Sequence, residues 1–259
     1  MPLDHIQQAS REQFDRQSRN YGPSHILADV ADIVAALDGV DLPEPGRALD
    51  VATGGGHTAV WLAENGWDVT ASDLSPAMLE RASELAASRG VTIETALHEA
   101  ERLPYGDGEF QIVTCRVAAH HFSNPAAFVS EVARVLGPGG VFLLIDGSVP
   151  DDEPEAAEWL HAVEKWRDPS HGRFLSPGEW SGLCRDAGLE ILRCGTRPFK
   201  QPDLHWYFET AGTPETNRDE VMKLIKSVPD QAVRAFGLAE EDGKIVWWWP
   251  RLSLVARRN

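Results

Sequence analysis

Three groups of residues have types and spacing suited to chemistry. His120 and His121 follow the apolar run Phe110 to Cys115, where a strand gives way to a turn. An imidazole with a pKa near ~6.5 suits removal of a proton from a phenol, enol or amine at neutral pH. Neighbouring residues point in different directions, so at most one of the two faces a reacting atom. His171 and Asp168 form a second pair inside Arg167-Asp168-Pro169-Ser170-His171. Such a pair either orients a substrate or closes a turn through carboxylate-to-backbone bonds. The third group is Ala48-Leu49-Asp50-Val51-Ala52-Thr53-Gly54-Gly55-Gly56-His57, followed by an apolar run that ends at Asp73. Glycines strip side chains from a turn that must approach a ligand closely, and the next helix offers its free N–H groups there. Asp73 falls where a carboxylate bonds a ribose diol.

Nicotinamide dinucleotides and S-adenosylmethionine both fit that outline, and Gly54-x-Gly56-x-x-Ala59 satisfies the dinucleotide fingerprint. Asp50 separates them. A carboxylate in the last turn of a buried strand needs a polar partner, and the ammonium of a methionine moiety would serve, whereas a dinucleotide offers no such cation. Asp146, ending another strand, reads as an acceptor that anchors a loop, and His57 reads as a capping or packing residue.

The elements that must position these groups are legible from their punctuation. From about 47 to 147, short apolar runs alternate with amphipathic segments, the pattern of a parallel sheet covered on both faces. Ser75-Pro76 opens a helix with Met78, Ala82, Leu85 and Ala86 on its inner face; Asn124-Pro125 opens another, which Gly137-Pro138 closes; Ser176-Pro177 and Gly188 bracket a third. Val91 to Ala96, Phe110 to Cys115, Val141 to Asp146 and Leu189 to Leu192 read as strands, and Ile245 to Ala256 as the last. The first 40 residues read as two helices, one carrying Phe14 and Tyr21, the other Ile26, Val30, Ile33, Val34 and Leu37 at helical spacing. Seven of the nine tryptophans lie beyond residue 150, which places most of the large aromatic surface in the later chain and points to a substrate chamber there. In Trp247-Trp248-Trp249 a strand would put two indoles on one face and one on the other. With Trp206 and Tyr207 they read as core, or as an aromatic box for a sulfonium or a planar acceptor.

The glycine turn, Asp73, the segment Glu99-Ala100-Glu101-Arg102-Leu103-Pro104-Tyr105 and the run Cys115-Arg116-Val117-Ala118-Ala119-His120-His121-Phe122 occur in this order. With them the chain resembles class I S-adenosylmethionine-dependent methyltransferases, most of all the UbiE-like branch (methyltransferase type 11). Arg167 to His171, Leu175-Ser176-Pro177-Gly178-Glu179-Trp180 and Ala211-Gly212-Thr213-Pro214 resemble its small YcgJ-type subgroup, so the likeness spans nearly the whole chain. The resemblance implies that Ala52, Thr53, Gly54 and Gly56 hold the methionine part of S-adenosylmethionine, with Asp50 beneath them. It implies that Asp73 and Leu74 meet the ribose, Glu99 and Ala100 the adenine, and Arg116 the reacting end, while Tyr21, with Phe14, closes over the cofactor. Ala52 replaces a commoner glycine, Glu99 a shorter Asp or Asn, and Gln111 a frequent Asp.

The implied fold is α/β: a Rossmann-like, seven-stranded sheet with helices on both faces, parallel save for its last strand. The expected division is an N-terminal helical lid over 1–45, a cofactor domain over 46–200, a substrate cap insertion over 201–243 and the final strand over 244–259. The expected activity is methyl transfer to a small-molecule acceptor, carbon or oxygen favoured, with His120, His121 or His171 as the catalytic candidates. A non-catalytic S-adenosylmethionine-binding module and a nicotinamide-dependent oxidoreductase are the rivals. The 259 residues carry a formal charge of −16, which repels phosphate backbones and speaks against nucleic acid as a partner. No apolar stretch approaches the ~18 residues of a membrane span and the N-terminus is polar, so a cytoplasmic protein is expected. Cys115, Cys184 and Cys194 are odd in number and lack CxxC spacing, so buried thiols are expected rather than disulfides or a metal site. Nothing in the chain distinguishes a monomer from a homodimer.

Overall fold

A computed structural model describes residues 3–20 and 25–259; Tyr21 lies outside the described residues. Seven strands form the main sheet: β1 (Arg47–Val51), β2 (Asp68–Asp73), β3 (Glu94–Leu97), β4 (Phe110–Arg116), β5 (Leu136–Gly147), β6 (Leu189–Lys200) and β9 (Trp248–Arg258). Their order is β3-β2-β1-β4-β5-β9-β6, with β9 antiparallel to both neighbours and the other pairs parallel. This is the seven-stranded, doubly covered Rossmann-like architecture expected from the sequence. The order reverses between β1 and β4, so the carboxyl ends of these two strands diverge and leave the crevice in which ligands of open α/β sheets bind.

The helices start where the sequence says they should. Ser75 caps α4 (Pro76–Arg89) by accepting from Met78 N, Asn124 caps α5 (Pro125–Val135) through Ala127 N, and Ser176 with Glu179 forms a reciprocal capping box on α7 (Pro177–Asp186). Helix α3 (His57–Glu64) leaves the glycine turn and packs on α4 so closely that a Cβ on Gly56, whose φ is +84°, would stand 2.7 Å from both Ala82 Cα and Cβ. Left-handed strain and backbone overlap act together there. Gly56→Ala is expected to lower stability by about 2–5 kcal/mol, read as a fall of many degrees in the calorimetric melting temperature.

Leu49, Val113, Phe142 and Leu144 bury against α5 and α7 on one face of the sheet. On the other face, Ala48, Val69, Leu143 and Val255 meet α3 and α2 (Ala31–Leu37). A third core belongs to the cap. It joins Trp159, Leu160 and Val163 of α6 (Pro154–Arg167) to Tyr207 of α8 (Leu204–Ala211), Val221 of α9 (Glu215–Lys226), Phe236 of α10 (Asp230–Phe236) and Trp247. This core draws on α6, well before residue 201, as well as on residues 204–236. Buried Glu164 ties it to the sheet: its carboxylate accepts from Tyr207 Oη at 2.7 Å and Trp249 Nε1 at 3.0 Å and pairs with Arg167 at 3.0 Å.

Several sequence-based spans differ: β5 begins at Leu136 rather than Val141, and β6 runs to Lys200 rather than ending at Leu192. The strand expected over 91–96 begins only at Glu94, because Gly90 in a left-handed C-cap turns the chain out of α4 first. The strand expected over 245–256 is split: Lys244–Val246 (β8) pairs with Ala239–Glu241 (β7) in a separate hairpin, and only 248–258 enters the sheet. The helix expected from Ile26 to Leu37 is broken into a single 3-10 turn, Ile26–Ala28, and α2. The reason is long-range: the carbonyls of Leu27 and Asp29 accept from the Arg116 guanidinium at 2.8 and 2.5 Å, so they leave the helical ladder. Trp247 and Trp249 are buried and Trp248 is exposed, the alternation anticipated.

Candidate active site

Two adjoining cavities open at the carboxyl edge of the sheet and share Phe14, Leu27, Arg116, Val117 and His121 in their walls. The smaller lies on the glycine turn and is lined by Ala52, Thr53, Gly54, Gly55, Asp73, Leu74 and Ala100. The larger, about 460 Å³, runs beneath the cap and is lined by His120, Phe174, Phe199, Trp206, Trp249 and Arg251 among others. That volume lies in the range of sites for small organic ligands.

In the smaller cavity the backbone is held in uncommon conformations. Ala52 has φ +54° at the end of β1, and Val117 has φ +56° just past β4. A left-handed β-branched residue is costly and persists only where its surroundings enforce it, as they do at binding sites. Asp73 bonds Gly54 N and Ser75 N, each at 2.9 Å, so the acid that would hold a diol also fixes the glycine turn and the start of α4. Burial pushes its carboxyl up to about 6. The carboxylate keeps acceptor positions beyond these two bonds, which suits a pair of hydroxyls.

Asp50 does not line the cavity. Its two oxygens accept from Thr114 Oγ1 and Thr53 Oγ1, both at 2.6 Å, and burial pushes its pKa up to about 6. The polar partner that its position demanded is a pair of hydroxyls, through which it fixes Thr53, and Thr53 is the residue that faces the cavity. Gly56 also stands outside the lining, under α4. Glu99 is turned away, bonded to Gln7 Nε2 at 3.0 Å and Arg102 at 3.1 Å, while Ala100 and Glu101 line the wall. Arg116 lines both cavities, and its guanidinium is spent on Asp32 and on the 26–29 loop.

Helix α1 (His5–Gln17) covers both cavities and is fastened by polar contacts rather than by an apolar stripe. Gln7 reaches Glu99 and Glu101, Asp15 accepts from Ser75 Oγ at 2.6 Å, and Gln13 and Gln17 donate to Ala211 O at the end of α8. Phe14 meets His121 edge-on with ring centroids 5.0 Å apart.

The three candidate histidines gather in one cluster: the ring of His120 is 4.1 Å from that of His121 and 5.3 Å from that of His171. Their surroundings differ. His120 Nδ1 is hydrogen-bonded to Asp146 Oδ1 at 2.6 Å, and its own backbone N–H donates to Asp146 Oδ2 at 2.8 Å. Its Nε2 makes no hydrogen bond among the described residues, and the side chain lines the larger cavity. Burial, with His121 next, holds His120 well below the usual histidine pKa, and burial pushes Asp146 up to about 7. Asp146 therefore orients a histidine as well as anchoring the chain at Gly147 N. His121 is bonded through Nδ1 to Ser170 O at 3.1 Å. His171 is 1% exposed, lines neither cavity and packs 4.6 Å from the Phe174 ring. Asp168 closes a turn, one of its two readings, by accepting from Ser170 N and Oγ, and it also lines the larger cavity. His57 stacks on His25 at 6.2 Å. The three thiols are free, Cys115 and Cys184 buried, and no described helix is long and apolar enough to cross a membrane.

Residues 49–144 match the family model described as a methyltransferase domain. The chain is 30% identical to the uncharacterized methyltransferase YcgJ of Bacillus subtilis over 86% of its own length and 88% of that protein's. The YcgJ crystal structure superposes with a TM-score of 0.80 over 89% of this chain and 99% of that one. A methyltransferase structure from Bacillus halodurans gives 0.81 at 33% identity over 88% and 99%. The 2-methyl-6-phytyl-1,4-hydroquinone methyltransferase of Synechocystis is 34% identical over 70% of this chain and 58% of its own length.

Proposed function

The chain belongs to the S-adenosylmethionine-dependent methyltransferases as a relative of YcgJ, and from that premise we propose that it methylates an oxygen or carbon nucleophile of a small cyclic acceptor, with His120 as the base. The observation that carries this reading is the His120–Asp146 pair on the wall of a cavity that adjoins the glycine turn. S-adenosylmethionine, when bound, supplies an activated methyl on a sulfonium. The protein then has to place the nucleophile in line with that methyl, exclude water and take a proton where the acceptor carries one.

The residues divide the work. Asp73 would hold the ribose hydroxyls; the backbone of 52–55 and the Thr53 hydroxyl, set by Asp50, would hold the amino-acid end; Leu74, His98, Ala100 and Phe122 would flank the base. His120, with its proton fixed on Nδ1 by Asp146, presents an unprotonated Nε2 that can accept the proton of a phenol or enol. Phe14 and α1 would cover the reacting atoms. Phe199, Trp206 and Trp249 offer flat apolar surface to a ring. An acceptor of the hydroquinone type, as named for the Synechocystis relative, is consistent with that lining. The net charge of −16 disfavours nucleic acid in the same cavity.

S-adenosylhomocysteine is expected to raise the melting temperature in proportion to RT ln(1 + [L]/Kd), whereas NAD(H) leaves it unchanged. Transfer of a radiolabelled methyl group should be seen to phenols or quinols ahead of amines and thiols. A shift with NAD(H) and none with the homocysteine product would sink the cofactor assignment.

A further inference from the structure

Resting on the reading that the larger cavity receives the acceptor, we propose that this acceptor carries an anionic group, a carboxylate or a phosphate, gripped by Arg197 and Arg251. Strands β6 and β9 pair so that Phe199 stands opposite Trp249, Arg197 opposite Arg251 and Gly195 opposite Ser253. Alternate residues of a strand share a face, so the cavity side of this ladder runs from an aromatic pair, through an arginine pair, to Ser253. Two like charges directly opposite one another weaken a sheet. Such a pair persists where water or an opposite charge offsets the repulsion, and water reaches only the exposed Arg197 freely.

Among the described residues no carboxylate bonds either guanidinium directly; Asp32 and Asp146 reach Arg251 only through their fields. Among the described residues, neither Arg197 nor Arg251 makes a side-chain hydrogen bond or an ion pair, in a chain with 40 acidic and 24 basic residues. The Nε of Arg251 is buried and unsatisfied. Its guanidinium lies 4.9 Å from the Phe199 ring centroid, and Phe199 in turn stacks on Trp249 at 6.2 Å. The other arginines on the cavity wall are already neutralised, Arg116 by Asp32 and Arg167 by Glu164. The lining carboxylates are engaged as well: Asp32 pairs with Arg116, Asp168 with Ser170, and Asp29 accepts from Ala31 N. Two guanidiniums without a directly bonded carboxylate therefore stand on one wall of the chamber. A planar fork of donors is the group suited to bidentate binding of carboxylate or phosphate.

Arg251 also pairs in register with Gly147, next in the chain to Asp146, which sets the anion site beside the His120–Asp146 pair. A small acceptor could thus be held at its anionic end and deprotonated at another atom. Its ring would lie against Phe199 and Trp249.

The test is calorimetry on protein loaded with S-adenosylhomocysteine, titrated with 4-hydroxybenzoate, phenyl phosphate and the neutral 4-hydroxybenzamide. At least one anion is expected to bind about tenfold or more tighter than the amide. Arg251→Gln and Arg197→Gln should each remove most of that preference while leaving S-adenosylhomocysteine affinity at the wild-type value. Whichever anion binds better identifies the source of the charge. Arg197 is exposed, so its variant keeps the experiment readable even where the Arg251 variant folds poorly. Equal binding of anion and amide, a preference that survives both substitutions, or no binding of either anion at millimolar concentration overturns the proposal. Failure of the wild-type protein to take up S-adenosylhomocysteine would instead strike the methyltransferase reading, and it is seen in the loading step.

Discussion

Asp73→Ala is expected to weaken S-adenosylhomocysteine binding by about 10²–10⁴-fold. Two hydroxyl bonds to one ionised carboxylate are at stake, each contributing roughly 1.5–3 kcal/mol when the acceptor is charged. A second loss adds to the first. The same carboxylate receives Gly54 N and Ser75 N, so its removal frees the glycine turn and the entry to α4 together. Asp73→Asn separates these effects, because it keeps one oxygen but sets an amide nitrogen against one of the two backbone N–H groups. Titration supplies an independent check. Burial holds the Asp73 carboxyl up to about 6, and a ligand that donates hydroxyl hydrogens prefers the ionised form. Affinity should therefore rise with pH through about 6 and level off near neutrality, and this dependence should vanish in Asp73→Ala. Wild-type affinity in the alanine variant, measured by calorimetry, would remove the ribose assignment.

What the sequence disclosed and what it hid divide along the range of the interactions. Ser75-Pro76, Asn124-Pro125 and Ser176-Pro177 mark helix starts because a cap and the N–H groups it satisfies lie within three residues, so local chemistry decides them. The alternation of Trp247, Trp248 and Trp249 is equally local. Ile26 to Leu37 misled because its helical spacing is real, yet its carbonyls are claimed by Arg116, some ninety residues away. Asp50 reads from the sequence as a buried acid in need of a partner, with an ammonium to serve, but its partners are hydroxyls, one of them from Thr114 across the sheet. Glu99 and Glu101 are two residues apart and both bond Gln7, yet the direction of the chain after β3 turns the first to Arg102 and sets the second on the cavity wall. Most hidden of all was the Arg197–Arg251 pair. It exists only once β6 and β9 are in register, and no spacing within the chain announces it.

Replacing His120 with Gln is expected to lower kcat by about 10²–10⁴-fold for an acceptor that must lose a proton, while S-adenosylhomocysteine binding is unchanged. The case rests on which nitrogen carries hydrogen. Ionised Asp146 can only accept from Nδ1, so the neutral ring then presents Nε2 as a base, and burial keeps His120 from being protonated at neutral pH. Asp146 itself is pushed up to about 7, so acidification delivers the next proton to the pair rather than to a distant group. Wherever that proton sits, the base is lost: a protonated Asp146 donates to Nδ1 and drives the imidazole hydrogen onto Nε2, and a protonated His120 carries both. The pair should titrate as one unit, with kcat rising as pH increases through about 7 and level above it. Asp146→Asn removes the anion that fixes the ring. It should lower kcat and shift the acid limb of the profile downward, since a buried imidazole without a carboxylate partner resists protonation further. Nitrogen-15 NMR of His120 reads the tautomer directly, as Nδ1–H in the wild-type protein. An Nε2–H tautomer at pH 8, or a His120→Gln enzyme that keeps near-wild-type kcat, would leave the histidine as a wall of the acceptor cavity and place the proton's destination on the acceptor or on water.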